Sequence, residues 1–166
     1  MTDIDQSLLD TIASLGASLK EKKEMLSTAE SCTGGWVGQA ITSVPGTSHW
    51  YDRGFITYSN AAKREMLGVP TGTLARFGAV SEQTARAMAE GAVRNSQSRF
   101  ALSITGVAGP EGGTPEKPVG FVCFAWTGHD RDTFSECVQF KGDRQLIRQQ
   151  AVSHALQGMS GYIEKS

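Results

Sequence analysis

The chain has 166 residues, with 16 Lys and Arg against 17 Asp and Glu and a formal net charge of −1. That length suits one domain, residues 1–166, with a core that needs no disulfide or metal staple. The balanced charge, without a block of one sign, speaks against a nucleic-acid or membrane-surface role.

The start, Met1-Thr2-Asp3-Ile4-Asp5-Gln6, is polar and acidic where a secretory signal is basic and then apolar, and no apolar run reaches spanning length. A cytoplasmic protein is expected. Cys32, Cys123 and Cys137 are odd in number and lack CxxC spacing, so reduced thiols are expected, with Cys123 and Cys137 as core or face residues of consecutive strands. His49, His129 and His154 are scattered and form no HxxxH or HxH pair, so no metal site is expected.

In chain order, Ile4, Leu8, Ile12, Leu15 and Leu19 recur at helical spacing up to about Lys22. Met25 to Ala29 reads as a strand. A turn, Glu30-Ser31-Cys32-Thr33-Gly34-Gly35, leads from it into a helix marked by Trp36, Val37, Ala40 and Ile41 that ends before Pro45. After the loop Pro45-Gly46-Thr47-Ser48, the later part of Trp50 to Tyr58 is β-branched and aromatic, a second strand. Ser59-Asn60 caps a short helix, Ala61 to Leu67, stopped by Gly68 and Pro70.

A loop containing Gly72 and Gly78 reaches Ser81, which caps a helix from Glu82 to about Gln97. Arg99 to Thr105 is apolar enough for a central strand, and the glycine-rich Gly106 to Gly113 follows it. Val119 to Trp126 and Thr133 to Phe140 form a hairpin about Gly128-His129-Asp130. Asp143 caps a long final helix with Leu146, Ile147, Ala151, Ala155, Leu156, Met159 and Ile163 facing inward. The expected fold is therefore a three-layer α/β/α domain on a mixed, mostly parallel five-stranded sheet with a C-terminal β-hairpin.

Three segments combine a position after a strand with reactive or polar groups: Glu30 to Gly35, Tyr58 to Lys63, and Ser103 to Gly109. If the strands are parallel, all three meet at one sheet edge. The first turn presents backbone N–H groups at a helix start, where they can stabilise an oxyanion or hold a phosphate, and Gly34 and Gly35 let a ligand approach. Its bland alternative is a simple Ser/Thr cap.

A serine nucleophile needs a proton acceptor, and no histidine is clearly placed for it. Lys63 can serve if its pKa falls by roughly three units, a cost of about 4 kcal/mol, with the Tyr58 hydroxyl passing or holding the proton. The alternative for Lys63 is a solvated lysine paired with Glu30. Lys141, Arg144 and Arg148 open the last helix and either receive a phosphate or form an exposed face. No GxGxxG or Gly-Lys-Ser/Thr motif is present, which disfavours a nicotinamide redox enzyme or a Walker-type loop.

Five blocks in register, Ala29 to Gly35, Gly54 to Lys63, Gly78 to Ser81, Ser103 to Pro110 and Lys117 to Gly120, make the chain similar to the CinA C-terminal domain family over nearly its whole length. The resemblance implies the mixed-sheet α/β/α fold, self-association as a homodimer or higher homo-oligomer, and hydrolysis of the carboxamide of nicotinamide mononucleotide to nicotinate mononucleotide and ammonia, without a metal or organic cofactor. On this resemblance Ser31 attacks, Lys63 moves the proton and Tyr58 orients the pair. Glu30, Cys32, Thr33, Gly34, Gly35, Thr105, Gly106 and Arg144 face substrate, Thr105 and Arg144 towards its phosphate. Two alternatives stay open: a cysteine amidohydrolase using Cys32, and a nucleotide-binding or interaction module without turnover.

Overall fold

The computed structural model describes residues 5–165; the expectation for Ile4 lies outside them. The first helix, α1 (Gln6–Lys22), is capped by the Asp5 side chain on the Ser7 N–H and buries Leu8, Ile12, Leu15 and Leu19 at the predicted spacing. Strand β1 (Leu26–Glu30) is wholly buried, and α2 (Trp36–Thr42) follows it. Strand β2 (Tyr51–Ile56) begins and ends earlier than the aromatic run suggests. Helix α3 (Asn60–Leu67) has Ser59 as its cap and Gly68, at positive φ, as its stop.

The segment expected as a loop around Gly72 instead holds a short helix, α4 (Thr71–Phe77), anchored by buried Leu74 and ended at Gly78. Helix α5 (Glu82–Arg94) is capped by Ser81 and stops short of Gln97, at Asn95. Strand β3 (Phe100–Gly106) is buried along nearly its whole length. Strands β4 (Phe121–Gly128) and β5 (Arg131–Gln139) form the hairpin, and α6 (Arg144–Glu164) closes the chain with Asp143 as its cap. On α6 one inward residue is corrected: Leu146 is exposed, its side chain lying against Gly142 before the helix, while Ile147 next to it is buried.

The sheet order is β2-β1-β3-β4-β5. The β1–β2 and β1–β3 pairs are parallel and the β3–β4 and β4–β5 pairs antiparallel, so β4 alone runs against the other four strands. Alternation along β3 divides the core. Phe100, Leu102 and Ile104 face a large apolar layer built with α1, α2 and α6. Ala101, on the other face, packs with Met88 and Ala92 of α5 and Leu67 of α3. Helices α3 and α5 approach so closely that a Cβ at Gly91 would stand 2.1 Å from the Leu67 carbonyl oxygen, a contact only glycine permits.

Cys123 and Cys137, expected as separate reduced thiols, are joined by a disulfide. The sequence separates them by 14 residues, but the hairpin register sets them directly opposite one another, and that proximity is what residue counting misses. Cys32 is the remaining free cysteine and is buried. No helix among the described residues is long and apolar enough to cross a membrane.

Candidate active site

Strands β2 and β1 end level with one another, and β3 runs on beside them to Gly106. Glu30 is in register with Ile56 on one side and Ile104 on the other, and two main-chain bonds continue the ladder past the strand ends, Thr57 N–H to Glu30 O at 2.8 Å and Ser31 N–H to Ile104 O at 3.0 Å. The turns carrying Ser31 and Tyr58 and the last residues of β3, Thr105-Gly106, therefore come together. They enclose a cavity of about 290 Å3 lined by Ser31, Cys32, Tyr58, Lys63, Thr105 and Arg144, with Ala79, Val80, Gly106 and Ala108 completing the wall. That volume is at the small end for ligand sites, which run roughly 300–1,000 Å3.

Lys63 reaches into this cavity from the first turn of α3 and is 1% exposed. Its Nζ lies 2.9 Å from Ser31 Oγ, 2.8 Å from the Thr57 carbonyl oxygen and 3.2 Å from the Tyr58 carbonyl oxygen. As an ammonium it donates to all three. As a free amine it keeps its two donors on the carbonyls and turns its lone pair to the Ser31 hydroxyl. Burial lowers the amine from 10.5 to about 8 because the charged form loses its water. At pH 7 about a tenth of the lysine is then free base.

The Tyr58 phenol, expected to orient this pair, belongs to a side chain that is 65% exposed. Its hydroxyl bonds neither Ser31 nor Lys63, and the part of Tyr58 that touches Lys63 is the main-chain carbonyl. Thr105 donates its hydroxyl to the Ala79 carbonyl at 2.7 Å, and Arg144 donates to the Gly109 carbonyl at 2.7 Å. Both line the cavity with Ser31.

Glu30, expected against substrate, is 1% exposed and is turned away from the cavity. Its Oε1 accepts from Thr33 Oγ1 at 2.7 Å, Gly35 N–H at 3.2 Å and Val37 N–H at 2.9 Å, and its Oε2 accepts from Gly38 N–H at 3.2 Å. The carboxylate is thus a remote cap on α2, and the turn folds around it. Gly34 and Gly35 take φ of 59° and 101°, which glycine reaches without the strain another residue would meet.

The Gly34 N–H bonds the Ser31 carbonyl, so neither Gly34 nor Gly35 has a free main-chain donor. Thr33, Gly34 and Gly35 line a second, open groove with Trp36, Gln39, Ile56, Gln145 and Arg148. Within the turn, neither the Cys32 N–H nor the Thr33 N–H donates a hydrogen bond to another described residue.

Arg148, grouped by sequence with a phosphate set or an exposed face, is held against this turn. It donates from Nε to the Cys32 carbonyl at 2.9 Å and from Nη2 to the Thr33 carbonyl at 3.0 Å, and its guanidinium lies 5.3 Å from the Trp36 ring centre. Its partners lie more than a hundred residues away, so only its one-turn spacing from Arg144 hinted at a role.

The Cys32 thiol is a poor nucleophile here. Burial raises it from 9.0 to about 11, although the nearby Arg148 charge pulls the other way, and a protonated thiol attacks weakly. Among the described residues no cluster of three or more His, Cys, Asp and Glu side chains is placed to hold a metal ion.

Known proteins resemble this chain in sequence and fold. The family model of the CinA C-terminal domain matches residues 9–163. A nicotinamide-nucleotide amidohydrolase PncC from Pseudomonas putida is 50% identical over 145 residues, 87% of this chain and 90% of that protein. A protein named as competence-damage inducible from Symbiobacterium thermophilum is 49% identical over 157 residues, but these make up 90% of this chain and only 37% of that longer protein. The crystal structure of competence/damage inducible protein CihA from Agrobacterium tumefaciens superposes with a TM-score of 0.94 at 41% identity, covering 99% of both chains. With the fold, the five sequence blocks and the matched residues in agreement, this chain belongs to the CinA C-terminal domain family.

Proposed function

We propose that the chain is a nicotinamide-nucleotide amidohydrolase that converts nicotinamide mononucleotide to nicotinate mononucleotide and ammonia through a serine–lysine pair. The observation that carries the mechanism is the buried 2.9 Å contact between Lys63 Nζ and Ser31 Oγ, with the amine lowered to about 8. The substrate is supported by relatives such as the Pseudomonas putida amidohydrolase, which aligns along 90% of its own length.

Ser31 Oγ gives its proton to the free amine of Lys63 and bonds to the carboxamide carbon, whose oxygen takes up the displaced electron pair. Main-chain N–H groups of the turn stabilise that oxyanion, a contribution of about 3 kcal/mol per donor. The Lys63 proton passes to the departing nitrogen, the C–N bond breaks and ammonia leaves an ester on Ser31. Water then gives a proton to Lys63 and attacks the ester, and return of that proton to Ser31 Oγ releases the carboxylate product. Thr57 and Tyr58 hold the amine in place through their carbonyls, and Arg144 and Thr105 position the substrate.

Ammonia release from nicotinamide mononucleotide, with free nicotinamide and a Ser31→Ala variant beside it, tests this reading. Release from the nucleotide alone that disappears in the variant is the expected result. Nucleotide binding without release would return the chain to a binding module. Self-association also belongs to this reading: Ile56, Tyr58 and Met66 are exposed beside the edge strand β2, and light scattering is expected to give a mass of at least two chains.

A further inference from the structure

We infer that Arg148 is a positioning residue for the reaction: by fixing two carbonyls of the nucleophile turn it aims the Thr33 N–H into the cavity as an oxyanion donor. In a trans peptide unit the C=O and N–H point in opposite directions. The Cys32 carbonyl and the Thr33 N–H belong to one such unit, and Arg148 Nε holds that carbonyl at 2.9 Å. The N–H must then point away from the guanidinium.

The turn separates two spaces. Arg148 lies on the side of the open groove with Thr33, Gly34 and Gly35, whereas Ser31 and Cys32 line the smaller cavity. Cys32 lines the cavity beside Ser31 while its carbonyl is held from the groove side by Arg148, so the opposite edge of that peptide unit faces the reacting hydroxyl. The Thr33 N–H has no acceptor among the described residues, whereas the Gly34 and Gly35 donors are engaged within the turn. A cation bonded to the carbonyl also polarises the peptide unit and strengthens its N–H as a donor.

The second bond, from Nη2 to the Thr33 carbonyl, fixes the next unit in the same way. Its N–H, on Gly34, bonds the Ser31 carbonyl at 3.1 Å. A forked guanidinium is needed to hold both units, which a lysine cannot do.

This inference rests on the serine–lysine reading, and the experiment separates the two. Arg148→Ala and Arg148→Lys are assayed for ammonia release from nicotinamide mononucleotide, and labelling of Ser31 by a fluorophosphonate is followed by intact mass. The expected result for Arg148→Ala is a kcat loss of about 10²–10³-fold, the effect of one lost oxyanion donor, with KM within about threefold and a comparable slowing of labelling. Arg148→Lys should recover little, and added guanidinium ion should restore part of the Arg148→Ala rate.

A raised KM at unchanged kcat would make Arg148 a substrate anchor and overturn the inference. So would a variant that unfolds early but works normally below its melting temperature, or labels as fast as the parent. If the parent protein labels at Ser31 but releases no ammonia, the substrate assignment fails while the labelling comparison still decides the role of Arg148. A parent that does neither removes both readings.

Discussion

Glu30 and Lys63 carry opposite charges, are each 1% exposed and lie at neighbouring strand ends, yet they are not paired with each other. Every donor around Glu30 belongs to the turn that follows it or to the start of α2: one hydroxyl and three main-chain N–H groups. Around Lys63 two acceptors are fixed carbonyls and the third is the hydroxyl of Ser31. A buried charge surrounded only by backbone and cap groups shapes the chain. One that lines a cavity together with its hydroxyl partner, as Lys63 does with Ser31, can do chemistry.

The comparison is broken most directly by exchanging the two charges for uncharged groups. Lys63→Met is expected to reduce ammonia release by about 10²–10⁴-fold, with little change in melting temperature, because the lost hydrogen bonds are offset by removal of a buried charge. Glu30→Gln turns an amide NH2 towards main-chain donors and is expected to lower stability by about 2–4 kcal/mol. Thermal melts and ammonia assays on both variants check this. Equal melting shifts would erase the distinction.

The pH dependence sharpens it. With Lys63 at about 8, kcat/KM should climb about tenfold per pH unit below that value and level off above it. A profile flat from pH 6 to 9 would remove lysine as the base.

Stability should follow the same group with a definite sign. Since the folded value of about 8 lies below the ordinary 10.5, the unfolded chain binds more protons between those limits. The parent protein should therefore gain stability over Lys63→Met as pH rises through that window, by up to about 3 kcal/mol, and the buried charge should count fully against it below pH 8. Denaturant melts of both proteins from pH 7 to 10.5 measure the difference.

The smallest effect is expected at the neighbouring thiol. Cys32→Ala should leave turnover within about threefold, since its protonated sulfur takes no part in the chemistry. A loss as large as that of Ser31→Ala would restore the cysteine mechanism.

Much of this was legible in the sequence where the signal is local. The spacing of Leu8, Ile12, Leu15 and Leu19 gave α1, the Ser59, Ser81 and Asp143 caps gave three helix starts, and the apolar run from Phe100 gave β3. Helix α4 was hidden because Thr71, Gly72 and Thr73 are poor helix formers, and its anchor is the tertiary burial of Leu74. In the site, the identities of Ser31 and Lys63 were readable as chemistry, but their contact depends on parallel strands ending in register. The inward turn of Glu30 and the disulfide were not readable, because each depends on which way a side chain faces once strands are paired.

The bond from Arg148 to the Cys32 carbonyl joins residues 116 apart in the chain, which bears on the order of events during synthesis. The ribosome delivers the nucleophile turn more than a hundred residues before the arginine, and domains fold as the chain becomes available. Until α6 has emerged, the turn has no guanidinium to fix its carbonyls. A growing chain can thus carry both Ser31 and Lys63 long before it carries a complete site, and assembly of that site is tied to the arrival of the last helix.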